Sequence, residues 1–402
     1  MKKESILADK TIFCQVLFEK MKDITAAIGK MEFYEFEYSL NNITPDNGNW
    51  SEIHLDPMET IQHRIFSQEF FESIQIKPKI EGRIVLDDTI QRLTQMLFVG
   101  LVTKEYPIQW IKDLFYFDPR GFNFYVHSHY MTDEISVHLG GKPYRAYEQK
   151  QKAFDACHEV GYQDFKSANT DVDGSFIEII LDLVTAKGTP ILLAIAGPTA
   201  AGKTEIVERL RIAFEKLNKK ISAIELDNFL LDRDYREEHN IGSFGKNALH
   251  FGLLQQCIQD ILGGRKIYTP RYDFIKAISS HDLKGNLKPD GKPVEVLPSD
   301  IIFIEGNSPF LMPEIAASVG IKVVYLTDDA IRLKRKWRRD IDYRKKYDPY
   351  YLRNRFFREQ PPMARKNYQP QLKVCDVFVD TTGAAIWVTP EIMNLLNDKK
   401  DK

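Results

Sequence analysis

Gly197-Pro198-Thr199-Ala200-Ala201-Gly202-Lys203-Thr204 sets two glycines around a short loop and follows them with a lysine and a hydroxyl side chain. This spacing is the phosphate-loop pattern: backbone N–H groups converge on phosphate oxygens, the lysine reaches the terminal phosphates, and the threonine holds Mg2+. The stretch is expected to bind a nucleoside triphosphate. Two carboxylates fall where chemistry on such a ligand would need them. Asp227 follows the strand-like run Ile221–Leu226, and Glu305 closes the apolar run Ile301–Ile304. A carboxylate can take the proton of an attacking hydroxyl, and a charge ending an apolar strand is costly unless it meets a cation or donor. Asp227 is therefore expected as a general base, and Thr204, Glu305 and Asp227 as metal ligands. The plainer readings are a turn cap for Asp227 and a structural ion pair for Glu305.

A third feature is cationic. Residues 331–346 carry nine lysines and arginines in sixteen positions. On a helix they cannot all face one way, so many must be solvated. A basic helix after a strand end is nevertheless where a lid could bring guanidinium groups onto transferring phosphates. Nucleic-acid binding is the rival explanation, weakened by a net charge of −2 and by having only Trp337 and Tyr343 as stacking aromatics.

The elements that must position these residues alternate from residue 190 onward. The run 191–196 reads as a buried strand, and the amphipathic stretch after Thr204, with Ile206, Leu210, Ile212 and Phe214, reads as a helix. Further strands are expected at 221–226, 301–306, 321–326 and 374–379, and a helix at 248–263 stopped by Gly263-Gly264. Five strands with intervening helices predict an α/β fold, a doubly wound parallel sheet of the P-loop NTPase type. Ligands should gather at its carboxyl edge.

At this point the C-terminal half, about 188–385, resembles the uridine kinase and phosphoribulokinase family of P-loop kinases. The matching pieces are collinear: the phosphate loop; Leu226-Asp227-Asn228-Phe229, in the place of a strand-ending Asp-Ser/Asp-Phe-Tyr; and Tyr268 to Phe274, similar to a Pro-x-Tyr-Asp-Phe segment. Ile304-Glu305-Gly306, the arginine-rich Arg332 to Ile341, and Cys375-Asp376-Val377 complete the set. The resemblance implies ATP and Mg2+ in a central cleft and a small-molecule acceptor bearing a hydroxyl. It implies Asp227 as base, Thr204 and Glu305 near the metal, and Lys203 with Arg339 and Arg344 on the phosphates. Tyr272 and Asp273 would line the acceptor pocket. The sequence also departs from the family: Leu230 stands where uridine kinases carry tyrosine, His250 where they carry a ribose-holding aspartate, and Ile275 to His281 lacks the arginine of their Ser-His-Ser-Arg string. Buried polar partners decide hydroxyl recognition, so the reaction type carries over and the nucleoside does not.

Ahead of this half lies a separate N-terminal α+β domain, residues 1–185, with the kinase domain at 188–390. Helical patterns are expected over 1–30, 58–74, 88–103, 144–160 and 176–186. Residues 31–40 alternate partly like a strand, with Glu32, Glu35 and Glu37 as a solvated strand face, and 122–130 and 134–139 read as two strands joined by a turn. His127 and His129 would share a strand face, yet no third metal ligand is near in sequence. The role of this domain is not legible.

Composition narrows the class. A hydrophobic content of 43% and a charged content of 28% are ordinary for a globular protein, and the length suggests two to three domains. No apolar run is long enough to span a bilayer, and the first residues lack the apolar core of a signal peptide. Cys14, Cys157, Cys257 and Cys375 lack paired spacing and read as reduced thiols of a cytoplasmic protein. The expectation is an ATP-dependent small-molecule kinase without nucleic-acid or membrane partners, with a homo-oligomer left open. The alternative is an ATP-binding regulator whose P-loop domain gates ligand or partner binding by the N-terminal domain.

Overall fold

A computed structural model of the chain describes residues 3–25, 27–67, 70, 88–118, 122–147, 170–242, 245–329, 331–332, 335–336, 339 and 360–398. Among the described residues thirteen strands run in chain order: β1 (Phe115–Asp118), β2 (Asn123–Val126), β3 (Arg145–Ala146), β4 (Ile191–Ala196), β5 (Ile221–Glu225), β6 (Ile267–Thr269) and β7 (Tyr272–Asp273). They continue as β8 (Ile278–Ser279), β9 (Val294–Val296), β10 (Ile301–Gly306), β11 (Ile321–Leu326), β12 (Val377–Asp380) and β13 (Ala385–Val388).

Seven strands form one sheet in the order β3-β13-β12-β11-β4-β10-β5. The five from β12 to β5 pair in parallel, and β13 and β3 add antiparallel edges. All five expected strands are present and make up that parallel portion, the last beginning at Val377 rather than Val374. Continuous apolar runs produce this arrangement because both faces are covered. On β4, Leu192, Ala194 and Ala196 enter one core while Ile191, Leu193 and Ile195 enter the other. Phe251–Leu262 contributes Leu254, Ile258 and Ile261 to the first core; Thr170–Lys187, Lys203–Glu215 and Pro390–Asp398 cover the second. Each fully buried aliphatic side chain contributes about 1.5–3 kcal/mol by leaving water.

A further core, spanning Leu7 to Val126, belongs to the N-terminal part and packs Trp50 between Phe13, stacked at 4.2 Å, and Phe98. Ile135 and Leu139, and the buried face of Thr170–Lys187, join the cores of the large sheet instead.

Three N-terminal expectations are corrected. Residues 33–40 form a helix, Phe33–Leu40, not a strand. Glu35 Oε2 accepts the Glu32 N–H at 2.9 Å as a capping box, and Phe36 and Leu40 are buried one turn apart while Tyr34 and Tyr38 stay exposed. The acidic cluster thus starts a helix instead of facing solvent from a strand. Residues 133–138 are also helical, capped by Thr132 Oγ1, which accepts the Ile135 N–H at 3.3 Å; β2 pairs with β1 instead. In the expected helix from 144, Arg145 and Ala146 pair with β13 as a strand, and 148–160 lie outside the described residues. Expected helices are present at 88–103 and 251–262, and the helix begun at 58 is described to Ile65.

Candidate active site

The phosphate loop leaves β4 at Ala196 and enters the helix Lys203–Glu215. Its conformation explains its small residues. A Cβ on Gly197 would meet the Tyr325 carbonyl oxygen at 2.2 Å, and Gly202 sits at φ +104°, in the region that only glycine adopts without strain. The next strand end braces the loop, with Thr327 Oγ1 donating to Ala201 O at 2.9 Å. Lys203 folds across the loop and donates to Gly197 O at 2.8 Å and Pro198 O at 3.1 Å. Burial lowers the Lys203 ammonium from its ordinary value, opposed by the carboxylates of Asp227 and Glu305. The loop therefore holds a cation beside open backbone at a helix N-terminus, which fits a polyphosphate.

The carboxylates come from neighbouring strands. β10 lies between β4 and β5, so Glu305 is in register with Ile195 on one side and Glu225 on the other. Thr204 Oγ1 donates to Glu305 Oε1 at 3.1 Å and Oε2 at 3.3 Å. Burial raises the Glu305 carboxyl above its ordinary value; Lys203 and Thr204 oppose this, and Glu225 and Asp227 add to it. Asp227 lies in the short 3-10 turn Leu226–Phe229 directly after β5. Among the described residues no three histidine, cysteine or acidic side chains close on one point as a metal cage. Hard oxygen donors from one hydroxyl and a few carboxylates, completed by phosphate and water, are nevertheless what Mg2+ accepts. Thr204, Glu305 and Asp227 could hold it.

Among its described residues, the basic segment contributes an arginine face. Arg332, Arg335 and Arg339, spaced i, i+3 and i+7, all turn toward the loop. Arg335 Nη1 donates to Ala201 O at 3.2 Å, and Arg339 Nη2 to Thr199 Oγ1 at 3.0 Å. Arg332 is fully buried against Asp329. Arg344, Trp337 and Tyr343 lie outside the described residues.

These groups line one cavity of about 440 Å³: Thr199, Ala200, Gly202, Lys203, Thr204, Asp227, Glu305 and Arg339 all border it. Glu225, Phe274, Asn307 and Arg335 join them without having been singled out in the sequence. Their signals were present but weak. Glu225 shares the strand end of Asp227, Asn307 follows Glu305-Gly306, and Arg335 is one helical turn from Arg332. Gly197, Pro198 and Ala201 shape the loop from behind the cavity wall.

The residues expected at the acceptor lie outside that wall. The Tyr272 hydroxyl donates to Ala277 O at 3.0 Å, and Asp273 Oδ1 accepts the Ile275 and Lys276 N–H groups at 2.8 and 2.9 Å. His250 is buried with Nε2 3.1 Å from Ser279 Oγ, and burial, with His281 beside it, pulls its imidazole down to about 4. All three hold the β7–β8 hairpin in shape, and Phe274 is the member of that segment reaching the cavity. Cys14, Cys257 and Cys375 are buried free thiols pushed up by burial, as inert core cysteines are; Cys157 lies outside the described residues. No described helix is long and apolar enough to cross a membrane.

A parallel sheet of this order, with a phosphate loop after its central strand and acidic strand ends beside it, defines the C-terminal half as a P-loop kinase fold. Residues 192–385 match the model of the Phosphoribulokinase / Uridine kinase family. A uridine kinase of Brevibacillus brevis is 27% identical over 53% of this chain and 97% of its own length. One of Halobacterium salinarum is 25% identical over 52% of this chain and 85% of its own. Among solved structures, a D-glycerate 3-kinase from Cryptococcus neoformans superposes with a TM-score of 0.39 at 14% identity, over 53% of this chain and 97% of that one.

Proposed function

We propose that this chain is an ATP-dependent kinase that moves the γ-phosphoryl group of ATP onto a hydroxyl of a small metabolite. The observation that carries the reading is the convergence of Lys203, Thr204, Asp227, Glu305 and Arg339 on one cavity at the carboxyl ends of β4, β5 and β10. The family match and the uridine kinase relatives support the reaction type.

The backbone of Gly197–Thr204 grips the phosphates, and Lys203 swings from its carbonyl partners onto the terminal oxygens. Asp227 takes the acceptor hydroxyl's proton as that oxygen bonds to the γ-phosphorus and the bond to the β–γ bridging oxygen breaks, releasing ADP. Lys203 and Arg339 neutralise the charge on the transferring group, with Arg344 a further contributor. Thr204, Glu305 and Asp227 would hold Mg2+, whose charge would help neutralise the phosphates. The catalytic unit is residues 188–390, clad by the helix Thr170–Lys187. The N-terminal part ahead of it has a core of its own that ends at Val126. A cytoplasmic location and a hydroxyl-bearing small molecule as acceptor belong to the same reading.

Tyr272, Asp273 and His250 are engaged within the protein, and this favours a second reading: an ATP-binding regulator in which the N-terminal domain meets a ligand or partner. ADP release measured against pooled nucleosides, sugar phosphates, glycerate and vitamins separates the two. Acceptor-stimulated, Mg2+-dependent ADP supports the kinase. Tight ATP binding with no ADP from any pool overturns it and supports the regulator.

A further inference from the structure

We propose that segment 127–130, where the chain leaves the N-terminal core, positions the arginine helix over the phosphate loop, with Tyr130 as its principal residue. The inference rests on the kinase reading of that loop.

Asp329 and Arg332 are an ion pair with relative exposures of 1% and 0%. Two charges this deep persist only where hydrogen bonds complete their shells. Arg332 Nε donates to Thr327 O at 2.9 Å and Nη1 to Gln360 Oε1 at 2.7 Å, both from the kinase half. Further partners come from the segment that follows β2. Arg332 Nη2 donates to the Tyr130 hydroxyl at 2.9 Å, and Asp329 Oδ2 accepts the Ser128 N–H at 3.0 Å. His127 Nδ1 stands 3.6 Å from the same Asp329 oxygen. This segment is fixed in its turn by the N-terminal hairpin, since the His127 N–H continues the β1–β2 ladder by donating to Leu114 O at 2.8 Å.

From Arg332 the path to the cavity is short. Its Nη1 lies 3.5 Å from Thr199 O; one turn on, Arg335 holds Ala201 O, and Arg339 then holds Thr199 Oγ1. A second path starts at the same tyrosine. The Tyr130 ring meets Tyr368 edge-on at 5.8 Å, and the Tyr368 hydroxyl donates at 3.1 Å to Asn307 Oδ1, on the cavity wall beside Glu305-Gly306. Segment 127–130 thus touches both the root of the arginine face and the support of the strand end opposite it. An N-terminal part serving only as a separate attachment would have no reason to complete the shell of the ion pair from which the arginine face springs. Tyr130 acts through Arg332 and Tyr368 and is a positioning residue, not a catalytic one.

Tyr130→Phe removes the hydroxyl and keeps the ring. The test measures equilibrium ATP affinity by calorimetry, with and without Mg2+, in four full-length proteins: parent, Tyr130→Phe, Arg339→Ala and the double variant. Tyr130→Phe is expected to weaken ATP about 3–30-fold. In the Arg339→Ala background its effect should shrink to less than about twofold, because the group it positions is gone. A purely structural role would leave the two effects independent. His127→Asn, read in the same cycle, replaces Tyr130→Phe if that protein does not fold. Variants that bind ATP as tightly as the parent, or effects that multiply independently in the cycle, overturn the inference and leave the kinase reading standing. A folded parent that does not bind ATP overturns both.

Discussion

Thr204 Oγ1 donates to both carboxylate oxygens of Glu305, joining the first turn of the phosphate-loop helix to the end of β10 across 101 residues of chain. The contact seats the expected metal ligands side by side before any metal is involved. It also holds an ionisable group where burial disfavours its charge, which costs stability.

That cost is measurable. Because Glu305 is held above its ordinary value, the folded chain binds its proton more tightly than the unfolded chain, and ionised Glu305 reduces stability as pH rises past the ordinary value. Glu305→Gln is expected to raise the melting temperature of the nucleotide-free protein at pH 7.5 by about 2–4 °C. The same variant should lose most of the extra stabilisation that Mg2+ adds to ATP. Thermal unfolding with and without Mg2+ and ATP reads both effects, and a destabilised variant that keeps the Mg2+ increment would refute the assignment.

The proposed role of Asp227 is chiefly to take the proton, its share in holding the metal being backed by Thr204 and Glu305. Asp227→Asn is expected to lower kcat by about 10²–10⁴ with ATP affinity changed less than about threefold. Steady-state ADP release paired with calorimetric ATP binding checks this, and normal turnover by the variant would remove Asp227 from the chemistry.

Gly197 offers a test of the loop's shape. A methyl group there would strike the backbone oxygen of Tyr325 in β11, which cannot move without disturbing the sheet. Gly197→Ala is expected to cost about 1–3 kcal/mol in urea unfolding and to abolish measurable ATP binding. Gly252→Ala is the control, because that helical position has no neighbour within 4 Å and alanine there should add up to about 1 kcal/mol.

The junction at Asp329 predicts a pH dependence with two limbs. Burial alone would push Asp329 up, but Arg332 foremost, with His127 and the Ser128 N–H, holds it down to about 2. Its stabilisation is present above the ordinary carboxylate value and is lost as pH falls toward about 2. His127 is the mirror case. Burial would lower it, while Asp329 and Asp328 outweigh burial and the repulsion of Arg332 and raise it above 6.5. Its stabilisation is complete below 6.5 and fades as pH rises through the folded value, with the neighbouring His129 held low by burial. His127→Asn should therefore flatten the stability profile on the alkaline side of pH 6.5 and leave the acid limb in place, as urea titrations from about pH 3 to about pH 9 would report.

Much of the kinase half could be read from residue order because its strands are doubly covered. Ile301–Ile304 is apolar throughout and Ile321–Leu326 is interrupted only by Lys322, and no helix period competes with that pattern. The phosphate loop, Asp227 and Glu305 were legible for a related reason, since polar residues ending apolar runs stand out. The N-terminal part was harder. Phe33–Leu40 alternates well enough to pass for a strand, and its helix is decided by the Glu32–Glu35 cap and by where Phe36 and Leu40 find a core. Tertiary packing settles such short segments, and a linear pattern does not carry it. The internal partners of Tyr272 and His250 were not legible, because the bonds that shape the β7–β8 hairpin form only in three dimensions. A motif can preserve a hairpin's internal hydrogen bonds without presenting its side chains to a ligand. Glu225, Asn307 and Arg335 are ordinary in their local sequence: the first two acquire their place only when β10 comes between β4 and β5, and Arg335 when the helix after β11 meets the loop after β4.

The hairpins β6–β9 and β7–β8 deserve a last consideration. They lie outside the large sheet, in a stretch that leaves after β5 and rejoins at β10, and those two strands are immediate neighbours. An excursion that starts and finishes at adjacent strands can change length or content at small entropic cost and without shifting any register. Here the excursion sends Phe274 into the cavity, opposite the phosphate grip. The chain is in this sense divided into a fixed donor frame and an exchangeable cassette. Transplanting residues 264–298 from a relative is a way to retune what enters the cavity while the frame stays as it is.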